Sequence, residues 1–216
     1  MVSEVNHGTT EKIVVEKIKV PEAKWSYLFC KRFLDIALSL IAFVIAFIPM
    51  CLVAIAIRLE SKGPVIYKQV RLGKNEKPFT LYKFRSMRVD AEKNGMCWAA
   101  VNDPRVTKVG NFIRKVRLDE LPQLVNILSG KMSIVGPRPE RPEFYDKFDE
   151  YIDGFRMRMY VKPGLTGLAQ VNGGYDLLPE EKILYDMEYI RTQSLKQDMK
   201  IVFQTVAVIL GRKGAR

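Results

Sequence analysis

Between Ile36 and Ile57 the chain carries 22 consecutive residues without a charge, IALSLIAFVIAFIPMCLVAIAI. As an α-helix rising ~1.5 Å per residue, this run reaches about 33 Å, enough to cross a hydrocarbon core of about 30 Å. It is too long and too uniformly apolar for an ordinary core helix. A secretory signal does not fit either, because its apolar stretch is only about 7–15 residues and here a polar segment comes first. Pro49 lies inside the run, where it removes one helical hydrogen bond and kinks the helix. Both flanks are basic, with Lys31 and Arg32 before and Arg58, Lys62, Lys68, Arg71 and Lys74 after. Positive residues stay on the cytoplasmic side. A helix–break–helix that enters and leaves by one face, bent at Pro49, satisfies both clusters. A kinked spanning helix is the alternative these residues leave open.

The rest of the chain is polar, so one membrane element serves a largely water-facing protein. Lys and Arg number 35 against 24 Asp and Glu, a formal net charge of +11. Such an excess calls for an anionic partner: nucleic acid, an anionic bilayer surface or a phosphorylated substrate. The single histidine, His7, sits in a polar N-terminal tail, and Cys30, Cys51 and Cys97 form no CxxC pair. These facts exclude histidine-dependent triads, multi-histidine metal sites and a disulfide framework. Catalysis must rest on carboxylates, Lys, Arg, Tyr or a metal held by oxygens.

Glu11–Val20 alternates loosely and predicts a short, weakly held helix or strand. Val65–Arg71 and Phe79–Arg85 are β-branched and aromatic and flank the turn-rich LGKNEKP, which predicts a β-hairpin. Asp90–Gly110 reads as a long loop and Asn111–Arg117 as helical. Asp119–Ser129 predicts a helix with Asp119 as N-cap, Pro122 in the first turn and Gly130 past the end. Glu143–Tyr160 predicts an amphipathic helix, and 162–174 (KPGLTGLAQVNGG) a glycine-rich loop. Helices follow from Pro179 to about Thr192 and over Leu195–Leu210.

Asp119 and Glu120 stand out among the acids because they follow Arg114, Lys115 and Arg117. A cap position and nearby cations both favour an ionised carboxylate, and an ionised Asp can attack phosphorus. Asp is also a common N-cap with no further role. Neighbouring helical residues point about 100° apart, so the two carboxylates suit different tasks, such as nucleophile and metal ligand. Cations lie on either side: Lys83, Arg85 and Arg88 at the hairpin end, then Arg138 and Arg141. Arginine offers a planar fork matched to phosphate oxygens, and Pro137 and Pro139 stiffen the backbone around Arg138. A solvated basic face toward anionic lipid explains any one of these cations equally well. Gly164, Gly167, Gly173 and Gly174 could let backbone N–H groups approach a phosphate. The combination of membrane segment, basic domain, paired acids and no usable His or Cys fits phosphoryl transfer at a membrane, helped by Mg²⁺.

The ordered motifs KRFLDI (31–36) with the apolar run, LYKFRSM (81–87), DPRVTKVG (103–110), RLDELPQLVNIL (117–128), MSIVGPRP (132–139) and KPGLTGLAQVNG (162–173) resemble the bacterial sugar transferase family, the small monotopic polyprenyl-phosphate phosphoglycosyltransferases. The resemblance covers roughly residues 28–210. It implies transfer of a sugar-1-phosphate from a UDP-sugar to undecaprenyl phosphate with release of UMP, the first membrane step of exopolysaccharide, capsule, O-antigen or glycoprotein glycan assembly. It implies that Asp119 is a nucleophile forming a covalent phosphosugar intermediate and that Glu120 binds Mg²⁺. Arg114 and Arg138 match phosphate-holding arginines, and Lys83, Arg85, Arg117, Pro137, Pro139, Gln170 and Asn172 join them as candidate substrate-binding residues.

The implied fold is α+β and mainly helical. It has a polar appendage over 1–27, a re-entrant membrane helix over 28–62 broken at Pro49, and a catalytic domain over 63–216 with one β-hairpin and amphipathic interfacial helices. The implied location is the cytoplasmic face of the bacterial inner membrane, in the family's minimal form. The implied partners are the UDP-sugar, undecaprenyl phosphate and membrane lipid, with no nucleic acid. Glucose, galactose and an N-acetylated amino sugar all remain open as the sugar, and the oligomeric state is open too.

Overall fold

A computed structural model describes residues 13–15, 23–93, 95, 103–174 and 177–211; His7 and Cys97 lie outside them. The apolar run forms the middle of one helix, α1 (Trp25–Glu60), that continues through Pro49. The chain therefore does not leave the helix at Ile48-Pro49. A proline removes one donor and kinks a helix, while its neighbours keep their own hydrogen bonds. Arg58 stands in the last turn, and Ser61 ends the helix by taking an extended conformation.

One stripe of α1 packs inward in steps of three and four: Asp35, Ser39, Val53 and Ile57 are buried, and Ala42, Phe43, Met50 and Ala54 pack on core clusters. That is the spacing of one helical face. The opposite face is bare, with Val44, Ile45, Ile48 and Leu59 each at least 70% exposed. Mean hydropathy reaches 3.0 over a window of which only 11% is buried, so α1 is not a core helix. Both ends of α1 are tied to the same folded body. Near the start, Arg32 donates to the Ile127 and Leu128 carbonyls. At the end, Glu60 accepts from the Val109 N–H, and Arg58 donates to the Gly63 carbonyl.

The predicted hairpin is present as β2 and β3, Ile66–Leu72 against Pro78–Phe84, antiparallel with Tyr67 opposite Lys83. Helix α2 (Lys108–Lys115) starts at Thr107, whose hydroxyl accepts from the Gly110 N–H. A 3-10 turn over Leu118–Gln123 then leads into α3, Leu124–Leu128. The cap expected at Asp119 falls instead at Arg117, whose left-handed backbone (φ 58°) reverses the chain between α2 and the 3-10 turn. Gly130, at φ 78°, ends α3 where expected.

β4 (Ser133–Val135) pairs in parallel with β6 (Gly164–Thr166). The glycine-rich segment is thus strand β6 followed by helix α5, Leu168–Asn172, not a loop. Its glycines serve packing: a Cβ on Gly164 would lie 2.1 Å from the Gly136 nitrogen, and one on Gly167 would lie 2.2 Å from the Gly136 oxygen. The helix predicted over Glu143–Tyr160 is broken. Its first half is α4 (Pro142–Asp149), then come strand β5 (Ile152–Asp153) and a 3-10 turn over Phe155–Tyr160. Gly154, at φ 91°, separates β5 from the 3-10 turn. Ile13–Val14 forms β1 in parallel with β5, and Val15 is buried in the main core, so this piece of the N-terminal segment is a strand and is held. Helices α6 (Pro179–Thr192) and α7 (Leu195–Leu210) close the chain as predicted. The architecture is α+β and mainly helical.

Candidate active site

A cavity of about 670 Å³ opens beside the hairpin and is lined by Lys83, Arg85, Arg114, Arg117, Asp119, Arg138 and Gln170, among others. Strand alternation explains how Lys83 arrives there. Phe79 and Leu81 point into the core against α3, and Lys83 follows them on the same face at a period of two. Its ammonium donates to Glu120 Oε1 at 2.9 Å. Arg138 leaves the end of β4 between the buried Pro137 and Pro139 and donates to the same oxygen at 2.5 Å. The Pro137 carbonyl accepts from the Gly164 N–H at 2.9 Å, which fixes the backbone from which Arg138 projects.

The two neighbouring carboxylates have different surroundings. Glu120 is buried and clasped by Lys83 and Arg138. Burial pushes its pKa up, but Arg138 and Lys83 outweigh this and hold it well below the usual carboxylate range. Asp119 lines the cavity. Burial pushes its carboxyl up to about 6, Lys83 opposes that shift, and the Glu120 charge adds to it. The sequence-based expectation of a carboxylate favoured in its ionised form by a helix cap is corrected here: Asp119 caps nothing, and its desolvation dominates.

The other candidate residues divide. Arg114 and Arg117 line the cavity with Asp119. The Arg85 guanidinium is held elsewhere, donating to the Ser61 and Lys62 carbonyls at 2.8 Å and to the Ser61 hydroxyl at 2.9 Å. Arg85 therefore ties the hairpin to the residues that follow α1 while also lining the cavity. Gln170 faces the cavity with both amide atoms buried and without a hydrogen-bond partner among the described residues. Asn172 is exposed, donates to the Leu168 carbonyl and does not line the cavity.

Sequence reasoning missed the far wall, where Tyr67, Gln69, Glu92, Phe144 and Lys182 line the same space as Arg141. There the Tyr67 hydroxyl accepts from Gln69 at 2.8 Å and from Arg141 at 3.2 Å, and Arg141 pairs with Glu92. Only the alternation of β2 hinted at Tyr67 and Gln69, two residues apart on one face. It missed Asn126 as well, whose side chain accepts from the Tyr82 N–H and donates to the Thr80 carbonyl, fastening α3 to β3.

No group of three or more His, Cys, Asp or Glu able to hold a metal forms among the described residues. Mg²⁺ needs less, since one or two carboxylates with substrate phosphates and waters suffice. Glu120 Oε1 takes the two short contacts from Lys83 and Arg138, while Oε2 lies 3.5 Å from Arg138. The donor set is hard oxygen, and it fits an ion that arrives with a diphosphate.

The bacterial sugar transferase profile matches residues 26–212. The chain is 46% identical over 181 residues to the UDP-glucose:undecaprenyl-phosphate glucose-1-phosphate transferase of Escherichia coli, which covers 82% of this chain and 39% of that protein. It is 46% identical over 193 residues to the UDP-N-acetylgalactosamine-undecaprenyl-phosphate N-acetylgalactosaminephosphotransferase of Aeromonas hydrophila, 88% of this chain and 46% of that one. An exopolysaccharide production protein of Rhizobium leguminosarum bv. phaseoli is 40% identical over 194 residues, 86% of this chain and 97% of its own. The chain spans less than half the length of the first two relatives. Matched across most of its length by the profile and by proteins sharing two-fifths or more of its residues, the chain belongs to the bacterial sugar transferase family.

Proposed function

We propose that the protein transfers a sugar-1-phosphate from a UDP-sugar to undecaprenyl phosphate and releases UMP, through a covalent intermediate on Asp119. One observation carries this reading: Asp119, Lys83, Arg114, Arg117 and Arg138 line a single cavity, so a carboxylate shares one space with four cations able to bind phosphate. The names of the relatives, which act on UDP-sugars and undecaprenyl phosphate, agree with it.

In this scheme Arg138, Arg114 and Arg117 bind the diphosphate and orient it in line with Asp119. An Asp119 oxygen forms a bond to the phosphorus that carries the sugar, and the bond from that phosphorus to the bridging oxygen of UMP breaks. UMP departs with that electron pair. A phosphate oxygen of the lipid then attacks the acyl phosphate, and the Asp119 carboxylate leaves unchanged. Glu120 would hold Mg²⁺, which when bound neutralises charge on the departing phosphate. Gln170 supplies a donor and an acceptor for polar groups of the bound substrate.

The same reading puts the protein on the cytoplasmic face of the membrane. Both ends of α1 bond to one folded body, and the outward face of α1 is bare and apolar. These facts support a helix inserted from one side. The test of activity is UMP release from a panel of UDP-sugars in membranes containing undecaprenyl phosphate, with and without Mg²⁺. Release that needs lipid phosphate for turnover supports the proposal, and its absence with every UDP-sugar contradicts it.

A further inference from the structure

The basic-flank argument uses Lys31 and Arg32 only to set which side of the membrane they lie on, yet these two and Asp35, about one turn of α1, all point into the protein. Arg32 donates at 2.7 Å to the Ile127 carbonyl and at 2.8 Å to the Leu128 carbonyl. These are carbonyls of the last turn of α3, where the regular helical hydrogen bonds run out; Ile127 also accepts from the Gly130 N–H. Lys31 donates to the Val135 carbonyl at 3.1 Å and pairs with Asp198 at 2.9 Å. The buried Asp35 accepts from the Ser133 hydroxyl at 3.0 Å and the Ile134 N–H at 2.9 Å.

The partners of this turn are the two segments that build the active site. α3 continues directly from the 3-10 turn bearing Asp119 and Glu120. Residues 133–135 are β4, which runs into Gly136, Pro137 and Arg138. The turn thus grips both sides of the Glu120–Arg138 contact, one through the end of α3 and the other through β4. A solvated anchor for lipid headgroups would not direct each charge to a separate backbone or buried acceptor.

We infer that Lys31, Arg32 and Asp35 are positioning residues for the transfer reaction, holding Glu120 and Arg138 in register from the first turns of the membrane helix. The inference rests on the proposed role of the Asp119–Glu120–Arg138 site, and it makes insertion of α1 and assembly of the active site one structural event.

The test is a double-mutant cycle in the full chain in native membranes, with Arg32→Gln and Arg138→Lys made singly and together. UMP release is normalised to the membrane-bound protein. The expected result for Arg32→Gln is an unchanged membrane-bound fraction, kcat lower by about tenfold and KM for the UDP-sugar altered less than about threefold. In the Arg138→Lys background the same change costs less than about threefold, because the geometry it protects is already lost. Arg32→Lys, which keeps a donor, recovers part of the rate. Equal losses in both backgrounds, or a loss explained by the membrane-bound fraction alone, would overturn the inference.

Ser133→Ala, which deletes one hydrogen bond to Asp35 without altering charge, serves if Arg32→Gln does not fold; here too a lower kcat supports positioning and an unchanged kcat overturns it. Backbone amide exchange reports the grip without any activity. Faster exchange across 127–130 and 134–136 in Arg32→Gln supports it, and unchanged exchange overturns it. An unmodified protein that releases no UMP would instead count against the proposed function.

Discussion

Arg138 Nη2 and Glu120 Oε1 meet at 2.5 Å across 18 residues of sequence, and Lys83 Nζ reaches the same oxygen at 2.9 Å. One carboxylate oxygen thus locates two of the cations that line the cavity. The prolines on either side of Arg138, both buried, limit where its guanidinium can go. Replacing Arg138 by Lys keeps the charge and removes the planar fork. The expected outcome is a loss of UMP release of about a hundredfold, some 2.7 kcal/mol of transition-state stabilisation, with the protein still folded. A near-normal rate in the Lys variant would reduce Arg138 to part of a general positive field.

Arg117 adopts φ 58° at the reversal before Asp119, a conformation that costs a residue with a Cβ roughly 1–2 kcal/mol. Arg117→Gly and Arg117→Ala both remove the side chain, but only the Ala variant keeps the backbone cost. The Gly variant should unfold at a temperature several degrees above the Ala variant, and both should transfer poorly because a cavity cation is gone. Identical unfolding temperatures would show that the left-handed turn is not under strain.

Gly164 and Gly136 lie back to back, and a Cβ at Gly164 would meet the Gly136 nitrogen at 2.1 Å. Gly164→Ala should therefore push β6 away from β4, destabilise the protein by about 1–3 kcal/mol and displace Arg138. Thermal unfolding measures the first effect and UMP release the second. A variant with unaltered stability would mean that the strands can part without consequence.

The topology makes a separate prediction. With Cys30, Cys51 and Cys97 replaced, single cysteines introduced at Lys24 and Lys62 should both resist an impermeant thiol reagent applied outside intact cells, because both ends of α1 join one body. Pro49→Leu restores a hydrogen bond and should favour a straight span. Labelling of position 24 from outside in the protein with Pro49 intact would show that α1 crosses the membrane.

The sequence alone made the long helix, the hairpin, α6 and α7 legible, because each is a strong local pattern: an uncharged run, a β-branched alternation around a turn, Pro179 opening a helix, and the apolar residues of Leu195–Leu210. The strand at Ile152–Asp153, which interrupts the predicted helix, and the strand at Gly164–Thr166 were not legible. Each depends on a partner far along the chain, Ile13–Val14 for one and Ser133–Val135 for the other. In the site, Asp119, Glu120, Lys83 and Arg138 were found as charged residues in suggestive company. The partners of Arg85 were not legible, because only the fold reveals that the Ser61 and Lys62 carbonyls lie beside it. Lys31 and Arg32 were legible only as charges that set the topology, because their acceptors at Val135 and Ile127 lie far along the chain. The environment of Asp119 was also hidden, since burial acts on it through neighbours that are separate in sequence.

The central claim is that Asp119 is the nucleophile, and a single-turnover reaction without acceptor tests it most directly. Purified enzyme is mixed with Mg²⁺ and a UDP-sugar labelled in the sugar, with no lipid phosphate present. The account predicts UMP release of up to about one equivalent per active site and an equal amount of label attached to the protein, released on addition of undecaprenyl phosphate. Asp119→Asn should abolish both burst and label, while Glu120→Gln should slow the burst and weaken its Mg²⁺ dependence. No label and no UMP without acceptor, from an enzyme that turns over when lipid is supplied, would contradict the covalent scheme. So would a normal burst in Asp119→Asn.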